Sequence, residues 1–312
     1  MRIVYLDAWA LGDADLSPLS SLGDLAVYAS TTPGELAGRV SGADVVVTNK
    51  VLIGADELAA APRCRLVVAS ATGTDHIDAS ACERRGVSVA NVAGYATESV
   101  AQYTLGAALY LGIRLGARDA YVADGSYSAS GRWSGTTPPW RELAGRWGII
   151  GLGAIGRRVA ALARALGCEP VFFSATGPRE REGLPQLPLD ELLATASVIS
   201  VHAPGVPRYR GLLDEAALTR THPRAIVISA GRGGVVDEGA TARALREGRL
   251  GAAAFDVFER EPIAPDNPLL AADIADRVLL SAHMAWTSDQ ARRKLVAGIA
   301  ARIAEHGPWR RP

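Results

Sequence analysis

Short runs of Val, Ile and Leu alternate with Ala-rich amphipathic stretches along almost the whole chain. In the first third this pattern predicts strands over Arg2–Asp7, Leu25–Ala29, Ala43–Asn49, Arg65–Ala71 and Val87–Val92. Helices are predicted between them over Pro33–Val40, Ala55–Ala61 and Ala79–Arg85. Near-continuous apolar strands separated by helices imply parallel pairing with both sheet faces buried. Thr97 reads as the N-cap of a long helix, with Glu98 in its first turn and Val100, Thr104, Ala107, Ala108 and Leu111 at helical spacing as far as Arg114. From Gly125 to Trp140 periodicity is lost among Gly, Ser, Pro and Trp, so a loop is expected there.

A second alternating unit follows. Its predicted strands are Arg146–Ile150, Pro170–Phe173, Val198–His202, Ala225–Ser229, Ala252–Val257 and Arg277–Ala282. Its predicted helices are Ile155–Leu166, Leu189–Ala194, Asp214–Thr219 and Glu238–Glu247. A last helix, Ser288–His306, carries Ala291, Leu295, Ile299 and Ile303 on one stripe. The fold class is therefore α/β, with two doubly wound parallel-sheet domains, and 312 residues suffice for two cores.

Charge and composition narrow the partners. Lys+Arg 33 balances Asp+Glu 33, so no global field draws the chain to nucleic acid or an anionic membrane. The longest apolar stretch, Leu105–Ile113, is too short to span a bilayer. MRIVYLD enters a strand pattern at once, so no leader peptide is expected. Cys64, Cys82 and Cys168 are odd in number and widely spaced, which argues against a disulfide framework or a metal site and for a reducing cytoplasm.

The chemistry begins at Gly151-Leu152-Gly153-Ala154-Ile155-Gly156, between a predicted strand and a predicted helix. The first glycine makes the tight turn and the second admits a pyrophosphate. The third lets helix and strand pack closely, and the helix N-terminus supplies N–H groups for the anion. About 20 residues on, a carboxylate usually holds the ribose of NAD. Here that place is Ser174, followed by Thr176 and Arg179, which could hold a 2′-phosphate, so the reading is NAD(P)H with a lean to NADP(H). His202, which ends a predicted strand with Pro204 after it, and Asp256 are also counted with the cofactor site.

Ligands bind beyond the carboxyl ends of parallel strands. Arg232, Glu261 and His283 all follow such ends, giving a cation, a carboxylate and an imidazole on the edge that carries the Gly151 turn. When C2 of a 2-keto acid accepts hydride, its oxygen must receive a proton, which an imidazole supplies near neutral pH. A carboxylate on the far ring nitrogen fixes the tautomer, and a guanidinium fork binds carboxylate or carbonyl oxygen. Each residue also has a plain structural reading: a hydrogen-bonded strand-end histidine, a solvated Glu261, an Arg232 paired with Asp237. His202 can likewise be a hydrogen-bonded strand end.

Several segments together resemble the D-isomer-specific 2-hydroxyacid dehydrogenase family. They are Ala71-Thr72-Gly73-Thr74-Asp75-His76-Ile77-Asp78, Asn91-Val92-Ala93-Gly94-Tyr95, Gly131-Arg132-Trp133-Ser134, Gly148 to Gly156, Gly231 to Glu238, Phe255 to Pro262, and His283-Met284-Ala285-Trp286. Thr48-Asn49-Lys50-Val51 and Ala285-Trp286 are similar to the glycerate dehydrogenase (hydroxypyruvate/glyoxylate reductase) branch. The resemblance implies that Arg232 is the substrate arginine, Glu261 the imidazole-polarising glutamate and His283 the acid–base. It implies that Ala71, Thr72 and Gly73 hold the substrate carboxylate through backbone N–H groups. It further implies a flavodoxin-like substrate domain (1–95 plus 287–312), a Rossmann cofactor domain (96–286), a cleft between them, and a homodimer. The partner is then a small-molecule 2-keto or 2-hydroxy acid.

Two departures from the family stand out: Tyr103 lies where a histidine is common, and the Trp133–Trp140 loop is shorter than usual. Relatives that act as NAD(H)-sensing corepressors offer a second class of function. Relatives acting on formate or phosphite carry Gln at the Glu261 place or Lys at the Thr72 place, and this chain has neither.

Overall fold

The computed structural model describes residues 1–134, 140–177 and 183–306. Arg179, and residues 135–139 of the loop expected to be short, lie outside these. The chain divides into two compact units: Met1–Ser99 with Trp286–Pro312, and Val100–Ala285.

In the first unit, strands β1 (Arg2–Tyr5), β2 (Asp24–Val27), β3 (Val45–Thr48), β4 (Leu66–Ala69) and β5 (Ser88–Asn91) form one sheet in the order β2-β1-β3-β4-β5. All its pairings are parallel. This is the flavodoxin-type order, whose switch point lies between β1 and β3. Every residue of β3 (VVVT) and β4 (LVVA) is buried, whereas the edge strands β2 and β5 are partly open. Burial on both faces is why the inner strands show no polar alternation. The helix Asp289–Glu305 buries Ala291, Leu295, Val296, Ile299 and Ile303, and the Ser288 side chain accepts from the N–H of Ala291 at its start.

The second unit carries β6 (Gly145–Ile150), β7 (Cys168–Phe173), β8 (Ala196–Val201), β9 (Ile226–Ser229), β10 (Ala252–Phe255) and β11 (Val278–Leu280). They form a parallel sheet in the order β11-β10-β9-β8-β6-β7. Alternate residues feed two cores, as the pleat requires. Ile226 and Ile228 join Trp147, Ile149 and Phe172 on one face, while Val227 joins Ile150, Val171 and Ile199 on the other. Trp147 is fully buried with its indole N–H donating to Ser200 Oγ at 2.9 Å, so its one polar atom is satisfied.

Several expected boundaries shift. Thr97 is the first residue of the helix Thr97–Ile113 and not its cap. Arg114 then takes a left-handed conformation (φ 59°), and a helix Leu115–Ala123 follows that the sequence pattern did not predict. The stretch read as loop contains a further turn of helix, Ser126–Ala129. The last strand is only three residues, because a 3₁₀ segment, Ala272–Arg277, precedes it. Asp237 caps the helix Glu238–Arg246, its carboxylate accepting the N–H of Ala240 at 2.7 Å. The three cysteines are free and buried. Among the described residues, no helix is long and apolar enough to cross a membrane.

Candidate active site

The pairing register of the second unit brings six strand ends level. Phe173, Ile150, Val201, Ser229, Phe255 and Leu280 are successive neighbours across the sheet. At about 4.8 Å per strand the row is roughly 24 Å long. The residues released next are Ser174, Gly151, His202, Ala230, Asp256 and Ser281. Most still donate to the row: Gly151 N to Phe173 O, His202 N to Ile150 O, Asp256 N to Ser229 O and Ser281 N to Phe255 O. The order of the sheet reverses between β6 and β8, so the Gly151 turn and His202 flank its switch point.

The glycine turn fits a dinucleotide pyrophosphate. Gly151 has φ 93°, and a Cβ there would lie 2.8 Å from Ala203 N. A Cβ on Gly156 would lie 2.3 Å from Gly151 O, which is the close helix–strand approach the motif requires. A Cβ on Gly153, by contrast, meets nothing within 4 Å. The helix Ala154–Ala165 starts there with no side-chain cap, so its first N–H groups, at Ala154, Ile155 and Gly156, open toward that space. After β7, Ser174 Oγ and Thr176 Oγ1 lie 2.8 Å apart, a pair of hydroxyls where a carboxylate would otherwise stand. Both ring nitrogens of His202 are buried without a partner among the described residues, and burial pushes its pKa down to about 4, so the ring is neutral. Pro204 follows on the exposed turn, its carbonyl accepting the N–H of Val206 at 2.9 Å.

Glu261 and His283 are in contact: Nδ1 of the imidazole lies 2.7 Å from Oε2 of the carboxylate. Oε1 accepts the N–H of Phe258 at 3.2 Å, which orients the carboxylate. His283 Nε2 has no protein partner among the described residues. The backbone of His283 is left-handed, with φ 53°. For a non-glycine residue this costs about 1–2 kcal/mol, so neighbouring bonds must impose it. They come from Asp256, which is 2 % exposed. Its carbonyl accepts His283 N–H at 2.7 Å. Its carboxylate accepts Met284 N–H at 2.8 Å, Ala285 N–H at 2.9 Å and Ser281 O–H at 2.6 Å. This scaffold role adds to the cofactor contact expected from the sequence.

Arg232 leaves β9, the next strand but one from β11. Its Nη1 donates to Gly231 O at 3.1 Å, and its stem runs past Gly205, where a Cβ would lie 3.2 Å from Cγ. Gly233 then passes against the Phe258 carbonyl so closely that no side chain fits. The sequence thus supplied both members of the imidazole–carboxylate contact. It marked Tyr103 only as a departure from the family and not its contact, a phenol 2.7 Å from Ser281 Oγ, because nothing in a helical pattern marks a polar contact to a distant strand end.

In the first unit, the loop after β4 holds Ala71, Thr72 and Gly73. Their backbone N–H groups donate to no group among the described residues. Their carbonyls and neighbours, however, are tied down. Asn49 Nδ2 donates to Ser70 O at 2.6 Å, Asn91 Nδ2 to Thr72 O at 2.5 Å, and Val92 N to Ala71 O at 3.1 Å. Asn49 is itself placed by the buried Asp7, whose carboxylate accepts the N–H groups of Asn49, Lys50 and Val51. Unspent N–H groups on a fixed loop make an anion-binding concavity. Asp7 was not singled out by sequence, and Asn49 and Asn91 appeared there only within the family-like segments, with no role given to either side chain.

Comparison with known proteins agrees with this architecture. Residues 106–285 match the family model for the D-isomer specific 2-hydroxyacid dehydrogenase NAD-binding domain. A hydroxypyruvate reductase of Blautia hydrogenotrophica is 32% identical over 95% of this chain and 94% of its own length. A glycerate dehydrogenase of Methylorubrum extorquens is 32% identical over 97% and 96%. The crystal structure of the TT0316 protein from Thermus thermophilus superimposes with a TM-score of 0.86 at 29% identity, covering 96% of this chain and 94% of that one. The chain belongs to the D-isomer-specific 2-hydroxyacid dehydrogenases, nicotinamide-dependent oxidoreductases that act on CH–OH groups.

Proposed function

We propose that this enzyme interconverts a small 2-keto acid and its D-2-hydroxy acid, with hydroxypyruvate or glyoxylate as the keto substrate and NADP(H) preferred over NAD(H). The observation that carries the reading is the 2.7 Å contact between His283 Nδ1 and Glu261 Oε2, at the sheet edge that holds the Gly151 turn. A reduced nicotinamide cofactor, held by its pyrophosphate at that turn, would supply the hydride for C2 of the substrate. His283 Nε2 gives its proton to the substrate oxygen as C2 is reduced, and takes it back in the oxidative direction. Glu261 holds the ring by Nδ1 and fixes its tautomer and direction. Arg232 binds the substrate with its planar fork, and the N–H groups of Ala71, Thr72 and Gly73 take its carboxylate. We assign the substrate role to residues 1–95 with 287–312, and the cofactor role to 96–286.

Cofactor contacts in this reading come from Gly151, Gly153, Ala154, Ile155 and Gly156 at the pyrophosphate, and from His202, Pro204 and Asp256 nearer the ring. Ser174, Thr176 and Arg179 serve the adenosine ribose, where Ser174 at the usual carboxylate place favours a 2′-phosphate. The hydroxypyruvate and glyoxylate preference is supported by the names of the relatives and by small groups at the loop. A panel of 2-keto acids assayed with NADPH and NADH tests both choices. Highest kcat/KM is expected for hydroxypyruvate or glyoxylate with NADPH, and D-glycerate from hydroxypyruvate. A preference for NADH of about tenfold, or L-glycerate as product, overturns the respective part.

A homodimer completes the proposal. The helices Leu115–Ala123 and Ser126–Ala129 bury no residue of their own chain, while Leu115 and Val122 are exposed. Apolar helix faces left open in this way are covered by a second copy.

A further inference from the structure

The turn that carries His283 is tied to the body of its unit by a chain of side-chain hydrogen bonds that the proposed reaction does not use. Ser281 Oγ donates to Asp256 Oδ1 at 2.6 Å. A serine hydroxyl has one proton, so the 2.7 Å contact between Ser281 Oγ and the Tyr103 hydroxyl must be donated by the tyrosine. Burial pushes the Tyr103 pKa up to about 12, so the phenol remains a donor at any working pH. The same Asp256 oxygen accepts the N–H of Met284, the other accepts that of Ala285, and the Asp256 carbonyl accepts that of His283. Three consecutive N–H groups around the left-handed His283 thus end on one residue, and that residue is held from behind by Ser281 and Tyr103.

We propose that Tyr103 and Ser281 are positioning residues for the reaction: the relay Tyr103 to Ser281 to Asp256 keeps the carboxylate turned onto the 284–285 backbone and so fixes the direction of the His283 ring. Without the relay, one oxygen of a buried carboxylate loses a donor and reorients. The turn it clamps then samples conformations in which Nε2 is misaligned. Misplacement of an acid by a fraction of an ångström lowers the rate of proton transfer while leaving ground-state binding intact. The inference rests on His283 being the acid–base, and the relay replaces the histidine common in the family at the Tyr103 place with a purely donating phenol.

The test is a cycle of variants on the full-length enzyme. Tyr103→Phe removes one oxygen and keeps the packing. Its kcat is expected to fall about tenfold, with the keto-acid KM and the cofactor Kd within about twofold of the unchanged enzyme. In a His283→Ala background the same substitution is expected to change the residual turnover by less than about twofold, because no imidazole is left to aim. Ser281→Ala, which also takes the donor from Asp256, should lose at least as much as Tyr103→Phe, the double variant should be no worse than Ser281→Ala, and Ser281→Thr should keep turnover near normal. An equal proportional loss in the His283→Ala background, or a Tyr103→Phe kcat within about twofold of normal, overturns the relay. Should Tyr103→Phe lack a cooperative melting transition, the Ser281→Ala and Ser281→Thr pair decides by whether the hydroxyl restores kcat. If His283→Ala alone keeps normal turnover, it is the acid–base reading that fails.

Discussion

At His283 a strained backbone and a paired ring coincide, and that coincidence separates it from the other histidines. His202 also follows a strand end, yet both its nitrogens are buried with no partner among the described residues. Its pKa falls from an ordinary value of 6.5 to about 4 because burial penalises the charged ring. Between those values the unfolded chain binds a proton that the folded chain refuses, so unfolding gains as pH falls. Stability from this site is complete above pH 6.5 and is lost on acidification toward about pH 4. His202→Gln should therefore show a smaller drop in Tm between about pH 7.5 and about pH 5 than the unchanged protein; equal drops contradict the assignment. Glu261→Gln, which keeps shape and removes charge, should lower kcat about tenfold or more while NADPH affinity is retained. A kcat within about twofold of normal would show that the pairing has no part in the reaction. At this scale the sequence supplied residue types at strand ends, and so reached Glu261 and His283. It was silent on Asp256 as a scaffold, on the Tyr103–Ser281 contact and on Asp7, because each partner is brought close only by the fold.

Among the elements, the turn after β6 gives the sharpest separation of folding from binding. Gly151→Ala places a Cβ 2.8 Å from Ala203 N at a positive φ, so both Tm and cofactor affinity should fall, with a stability cost of roughly 2 kcal/mol or more. Gly153→Ala meets no protein atom within 4 Å, so Tm should hold while NADPH affinity weakens about tenfold or more. A Gly153→Ala protein that binds normally, measured by titration calorimetry, would mean that the pyrophosphate does not lie over this turn. The parallel sheets were legible because inner strands such as VVVT and LVVA have no polar positions to alternate. The helices Leu115–Ala123 and Ser126–Ala129 were not, because their few apolar positions, such as Leu115 and Val122, are too sparse to set a helical period. The left-handed Arg114 between the two longer helices likewise has no signature in residue type.

Over the whole molecule, two units of parallel sheet were implied by length and pattern, and family membership by motifs spread along the chain. Substrate choice was not legible, since it depends on side chains whose arrangement no strand or helix period encodes. Light scattering should give a mass near twice the 32.6 kDa of the chain, and Val122→Glu, at an exposed position, should shift it toward one copy without lowering Tm. A single-chain mass for the unchanged protein contradicts the dimer. The most direct trial of the central claim compares the unchanged enzyme with His283→Ala in single turnovers of hydroxypyruvate reduction, with NADPH binding followed by its fluorescence. The account predicts turnover lower by about three orders of magnitude with cofactor affinity retained. Turnover within a few-fold of normal would contradict it.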